Sequence, residues 1–404
     1  TNKEPDRVET KIGEDTQASL GRGVFFVLSL ATFFIGFVAL SYQVLLVRII
    51  ILFFGSLKFV FAMVLTAFLT ATGVSAFFGT VFHGFIKRTE RLFTAVIMIA
   101  AILIPAAPLL LLRFLHSEAI KDFPAMYDKV IIFALILLPV LFIGSLLPII
   151  IKIFQTHFHI ETTFSAARLY ALNTLGGVIG AGTTNTFLVP ILGAQGTLSL
   201  FSILFLCLGF ITILLVKRNL ITPLISGLCV VVLIVVIVRC PNITEDLYIS
   251  ALMRNKQDES IYDTKLFHEG TVANIAVVDS PDGGRFLFLD GVGEVSTKFM
   301  HVQLFKTLSL LPILLHESDE PKEALMIAFG AGLSAGAALD TGQLSSLEVV
   351  DLVSEAGMIN PYFKAINNDV YHHRQFHFVN DDGRNYLLGN PKKYSVIISD
   401  ATHP

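Results

Sequence analysis

Between residues 24 and 239 the chain is built from runs of about 20 or more apolar residues, each long enough to cross a hydrocarbon core of roughly 30 Å. A water-soluble fold cannot bury so many runs of that length. Seven spans are expected, at about 24–54, 57–84, 92–115, 128–154, 165–191, 196–216 and 219–239. With 54% hydrophobic and 15% charged residues and a mean hydropathy of +0.72, the whole chain falls outside the soluble range. The excess sits in these spans, however, and roughly the last 160 residues read as soluble. The organisation is therefore a polar tail (1–21), a transmembrane bundle of about seven helices (22–240), a β-hairpin segment with a linking helix (241–316) and an α/β Rossmann domain (317–404).

Within the bundle, Arg48 is expected to snorkel to the interface, a reading that outweighs an inward position beside Tyr42 and Gln43. Gly176, Gly177, Gly180, Ala181 and Gly182 have the small-residue spacing that lets a neighbouring helix approach closely. Asn173, Thr184 and Asn185 on the same span are expected to hydrogen-bond between helices. Pro105, Pro108, Pro139 and Pro148 are expected to bend their helices. With the N-terminus inside, inner segments hold Lys3, Arg7, Lys11, Arg22, Lys87, Arg88, Arg91, Lys152, Arg168, Lys217 and Arg218. Outer segments hold only Arg48, Lys58, Arg113, Lys121 and Lys129. This favours a cytoplasmic N-terminus in an integral cytoplasmic (inner) membrane. Seven spans would then put the C-terminal domain outside, the wrong side for a nucleotide-using enzyme, so its side stays open.

The most informative soluble stretch runs from Glu323 to Asp351. An apolar strand, Ala324 to Ala328, enters a turn carrying Gly330 and Gly332; a small-residue helix opens at Ser334, and a second strand ends at Asp351. Glycines suit such a turn because a Cβ would hold the backbone away from a ligand, and the N–H groups at the helix start face an anion or a polar nucleotide edge. Asp351 stands 19 residues beyond Gly332, at a strand tip where a carboxylate can accept ribose hydroxyls. Strand-tip acids also cap helices and solvate loops, which is the competing explanation. Upstream, the run Phe267–Asp279 and the run from Arg285 flank Pro281-Asp282-Gly283-Gly284 as a β-hairpin, Leu289-Asp290-Gly291 begins a second turn, and a helix follows from about Lys298 to Leu315. Downstream, Phe376–Val379 and Tyr394–Ser399 read as strands.

No metal site is suggested: Cys207, Cys229 and Cys240 lack ligand spacing, and His157 and His159 read as a surface pair. A net charge of −3 gives no basic stripe, so no nucleic-acid partner is expected.

Taken together, the chain resembles the spermidine synthase superfamily, especially membrane proteins in which a multi-span bundle precedes a spermidine-synthase-like domain. The resemblance is carried by Ser41-Tyr42-Gln43 through Arg48, Tyr170 through Gly176, Glu269-Gly270, Leu289-Asp290-Gly291, the glycine turn, Asp381 through Leu387, and Tyr394 through Asp400. It implies a β-hairpin lid and a methyltransferase-like Rossmann domain binding decarboxylated S-adenosylmethionine, S-adenosylmethionine or methylthioadenosine. Gly330 and Gly332 would line the nucleoside, Asp351 would hold the ribose, Asp382, followed by Gly383, would meet the adenine amino group, and Asp400 would deprotonate an attacking amine. The departures are Glu294, Phe299-Met300 and Gln303-Leu304-Phe305 in place of the family's diamine-site residues, and His403 in place of a second acid. Ala328 replaces the first glycine, which is tolerable if φ there stays negative. About four Rossmann strands are expected, fewer than in the family, so the domain reads as incomplete.

Three functions follow, in order of support. The first is a nucleoside-binding transferase of the aminopropyltransferase type acting on a small amine. The second is a degenerate membrane scaffold or accessory subunit, and the third a transporter-like bundle with a regulatory nucleotide-binding domain. The lipid bilayer is the expected partner, with a membrane-protein partner or a second copy of the chain beside it.

Overall fold

The computed structural model describes residues 6–54, 57–83, 89–115, 125–158, 162–216, scattered positions from 227 to 235, and then 243–254, 263–317 and 320–400. The chain divides into two compact units, Thr1–Ala251 and Leu252–Pro404.

The first unit is helical: α1 (Asp6–Phe54), α2 (Leu57–His83), α3 (Thr89–Leu115), α4 (Ala125–Phe158), α5 (Thr162–Thr183) and α6 (Val189–Val216), with α7 (Ile243–Arg254) beginning near its end. The described residues do not match the seven expected spans. Four stretches are long and apolar enough to cross a membrane, namely Phe25–Leu52, Thr89–Phe114, Leu137–Gln155 and Ala166–Thr212, while α2 offers the shorter Val60–Ser75. The fifth and sixth expected spans run together because a π turn, Thr184–Leu188, joins α5 to α6, and the helical φ/ψ pattern breaks only at Gly193 (φ 70, ψ 169). The seventh span falls largely outside the described residues, as do Cys229, Cys240, His159 and His403. The polar tail differs as well: α1 starts at Asp6, since extending an established helix costs far less than nucleating one.

Packing of α1 on α5 follows from glycine. A Cβ on Gly36 would lie 1.9 Å from the Asn173 carbonyl oxygen, and one on Gly176 would lie 2.0 Å from that of Phe33. Gly180 meets Phe37 in the same way, so the two backbones touch where only hydrogen fits. The Thr184 hydroxyl donates to the Gly180 carbonyl one turn back (2.7 Å), within its own helix and not between helices as expected. Arg48 is half-buried, with its Nη1 shielded from solvent by protein. Both α3 and α4 continue through their prolines.

The second unit begins with an antiparallel meander, β1 (Asp263–Glu269), β2 (Asn274–Asp279), β3 (Arg285–Leu289) and β4 (Val292–Ser296). The sequence shows the β2–β3 hairpin but hides β1, because Gly270–Ala273 forms a tight turn (Gly270 N to Ala273 O, 3.0 Å) inside what reads as one run. Asp290 (φ 47) and Gly291 (φ 82) give the β3–β4 turn two left-handed residues, the pair that matches strand twist. Arg285 fixes the meander to the rest of the unit: it grips Asp279 with two nitrogens (2.7 and 2.9 Å) and donates from a third to the Tyr362 carbonyl (2.8 Å).

After helix α8 (Phe299–Leu315) comes a parallel sheet of β5 (Lys322–Ile327), β6 (Leu344–Asp351), β7 (Phe376–Asn380) and β8 (Val396–Ser399), in the order β7-β6-β5-β8. Helices α9 (Leu333–Asp340), α10 (Ala356–Asn367) and α11 (Gly383–Gly389) connect its strands. Ala324, Leu325 and Met326 of β5 are all buried, as a central parallel strand covered on both faces requires. Phe305, Ser309 and Ile313 of α8 face inward, whereas Met300, Leu304, Leu308, Leu311 and Leu315 form an exposed apolar row on its other side.

Candidate functional site

The chain leaves β5 toward β6 on one side, while β8 pairs on the other. The direction of winding therefore reverses at the carboxyl end of β5, where open α/β sheets hold a crevice. All six candidate residues lie at this end of the sheet. Gly330 and Gly332 follow β5, Asp351 ends β6, Asp382 and Gly383 follow β7, and Asp400 follows β8.

The turn after β5 alternates in hand: Ala328 (φ 75), Gly330 (φ 55) and Gly332 (φ 78) are all left-handed. The condition under which alanine is readily tolerated there, a negative φ, is thus not met. The Ala328 amide must bond the Val350 carbonyl (2.8 Å) while the chain folds back over the strand end, and that geometry puts the alanine where glycine is normally found. Replacing Ala328 by glycine is expected to raise stability by about 1 kcal/mol, the usual cost of a left-handed alanine. Denaturant unfolding of the whole protein, followed by amide protection in β5, measures it, and a lower midpoint contradicts it.

Asp351 closes the turn. One carboxylate oxygen accepts from the Phe329 amide (2.6 Å) and the other from the Val353 amide (2.9 Å). Asp382 caps α11 by accepting from the Asn385 amide (2.9 Å), and Gly383 lies where a Cβ would come within 2.7 Å of Ile327. Both acids are therefore at the crevice and both already hold backbone.

Asp400 differs from them. Its amide donates to the Ile327 carbonyl (2.9 Å), its side chain is buried, and Oδ1 has no hydrogen-bond partner among the described residues. Burial pushes its carboxyl up to about 7, and the negative charge of Asp351 adds to the rise. The Ser334 hydroxyl beside it opposes this only by turning its single proton away from the Phe305 carbonyl, to which it donates at 2.9 Å.

In sequence Ser334 marks only a helix start, and Asn367 is not among the candidate residues. Asn367, fully buried, donates to the Ala331 carbonyl (2.8 Å) and to Asn360 Oδ1 (3.1 Å), bracing the glycine turn from behind. The signal was available: two asparagines on the apolar face of a helix need buried partners. Among the described residues no three His, Cys, Asp or Glu side chains group as metal ligands would.

The architecture is an α/β unit whose parallel sheet carries Asp351, Asp382 and Asp400 at its carboxyl end. No protein-family model matches the chain. Polyamine aminopropyltransferase 1 of Aquifex aeolicus is 27% identical over 143 residues, which is 35% of this chain and 50% of the relative. The polyamine aminopropyltransferase of Shigella boydii is 28% identical over 148 residues, 35% of this chain and 49% of the relative. Among solved structures, spermidine synthase from Thermotoga maritima aligns with a TM-score of 0.32 at 20% identity, over 34% of this chain and 47% of that one. The chain spans about half the length of the curated relatives it matches. It thus carries spermidine synthase-like homology at low identity over about a third of its length.

Proposed function

We propose that the chain is an integral membrane protein whose α/β unit binds decarboxylated S-adenosylmethionine or S-adenosylmethionine and transfers a carbon group from it to an amine. The observation that carries this reading is Asp400, a buried carboxyl with an unsatisfied oxygen and a pKa near 7, beside a left-handed turn at the crevice of a parallel sheet. A group poised near neutrality suits proton removal from a cationic amine, whose freed lone pair attacks the carbon next to the sulfonium as the neutral thioether leaves. The turn fits a nucleoside: at Gly330 even an added Cβ would come no nearer than 3.5 Å to Val295, which leaves the backbone approachable. Phe299-Met300 and Gln303-Leu304 in place of the family's diamine-site residues point to an acceptor other than putrescine. The four bilayer-length apolar stretches support membrane insertion, and the distribution of Lys and Arg supports a cytoplasmic N-terminus.

One observation favours the second reading, a scaffold that has kept the fold and lost the chemistry: Asp351 and Asp382 both spend their carboxylates on backbone amides. Calorimetric titration of the purified full chain with decarboxylated S-adenosylmethionine, S-adenosylmethionine and methylthioadenosine separates the two. The transferase reading expects binding of at least one, weakened by Asp351→Ala. Binding of none leaves the scaffold.

A further inference from the structure

Helix α11 has no buried side chain, and Leu387 and Leu388 on it are exposed, so burial of apolar surface does not hold it in place. At its start, Asn380 donates to the Asp351 and Leu352 carbonyls (2.9 and 3.0 Å), and the Asp381 amide donates to the Asp351 carbonyl (3.2 Å). The body of the helix is tied down elsewhere. The Tyr386 hydroxyl donates to Glu348 Oε2 (2.5 Å), and the Tyr394 hydroxyl donates to the same oxygen (2.6 Å). Lys392 takes Glu348 Oε1 and also reaches Glu323 (3.3 Å), with its ammonium 5.2 Å from the centre of the Tyr394 ring. Asn390 closes the ring of contacts by donating to the Tyr394 hydroxyl (3.1 Å).

We infer that Glu348, Tyr386 and Tyr394 are positioning residues: a clasp that fixes α11 on β6 and so fixes Asp382 at the mouth of the crevice. Glu348 lies on the strand whose tip is Asp351, so one rigid element sets the place of both acids. Asp382 is held by the Asn385 amide of the same seven-residue helix, and a helix this short moves as a unit. Three donors converging on one carboxylate overcome its burial. Burial alone would raise the Glu348 carboxyl, but Lys392, Tyr386 and Tyr394 bring it down to about 2, so the clasp stays charged and closed across the physiological range.

The affinity arm of the test rests on the nucleoside reading above; the exchange arm does not. Full-length protein carrying Glu348→Gln, and separately the milder Tyr386→Phe, is compared with wild type by amide hydrogen exchange and by methylthioadenosine titration. Removing a hydrogen bond to a charged group is expected to speed exchange at Asn385–Asn390 by about tenfold or more, with protection of β5 and β6 unchanged. Methylthioadenosine affinity falls by roughly tenfold, and turnover at saturating substrate holds, because ordering α11 is then charged against binding. A wild-type protein that binds no methylthioadenosine, decarboxylated S-adenosylmethionine or S-adenosylmethionine removes the nucleoside reading and leaves exchange to decide the clasp. Unchanged exchange at α11 in both variants overturns the clasp, and so does a uniform rise across the whole sheet, which would mark bulk stability alone.

Discussion

Asp400→Asn is expected to slow amine transfer by roughly 10²- to 10⁴-fold, the range for loss of a general base, while leaving nucleoside affinity nearly unchanged. The substitution is close to isosteric, and the glycine turn after β5 is braced by the side chains of Asn367 and Asp351, not by that of Asp400. The wild-type rate should climb with pH through about 7, where the buried carboxyl loses its proton, and the residual rate of the variant should lack that limb. Stability carries the opposite sign. The carboxyl binds its proton more tightly in the folded chain (about 7 against 3.8 unfolded), so folding is favoured while it is protonated, and that advantage drains away as pH rises from about 4 to about 7. Three units correspond to roughly 4 kcal/mol, and Asp400→Asn should flatten this dependence. A variant that keeps wild-type turnover, or a wild-type rate independent of pH between 6 and 8, would remove Asp400 from the chemistry.

Gly180→Leu is expected to abolish the cooperative thermal transition of the helical unit in detergent. Even the first carbon of a side chain there would sit 2.4 Å from the Phe37 carbonyl oxygen and 2.6 Å from the Ser41 hydroxyl. Relief requires α1 and α5 to separate along the whole stripe that includes Gly36 and Gly176, so the loss should reach or exceed the roughly 3 kcal/mol upper end for overpacking. Gly182→Leu is the control, because nothing lies within 4 Å of a Cβ there. Equal melting of the two variants would mean that the glycine stripe does not set the packing.

The sequence was legible where one physical rule dominated. The βαβ unit from β5 to Asp351 could be read because its period changes from strand to helix across a glycine turn, and the ends of β6 and β7 fall within a residue of expectation. Helix α11 was not legible: Asp381-Asp382-Gly383-Arg384-Asn385 has the composition of a turn, and one of the contacts that tie it to the sheet, Tyr386 to Glu348, comes from 38 residues away in sequence. Strand β1 was hidden because Gly270 opens a tight turn, its amide donating to the Ala273 carbonyl (3.0 Å), inside what reads as one continuous run. Of the candidate site, position was readable and occupation was not. Strand ends announce where Asp351, Asp382 and Asp400 stand, but which carboxylates are spent on backbone amides depends on loop geometry that no local pattern encodes.

The outward row of α8 has a practical consequence for anyone isolating the α/β region. Met300, Leu304, Leu308, Leu311 and Leu315 recur at helical spacing and all face outward, while the opposite side of the same helix carries the buried Phe305 and Ile313. A fragment starting near Asp263 would carry this greasy ridge into water with no charge along it to keep copies apart, and such fragments clump at the concentrations that calorimetry and crystallisation require. Glutamate at Leu304, Leu308 and Leu311 would break the ridge without touching the buried face, turning a sticky fragment into one that stays dispersed.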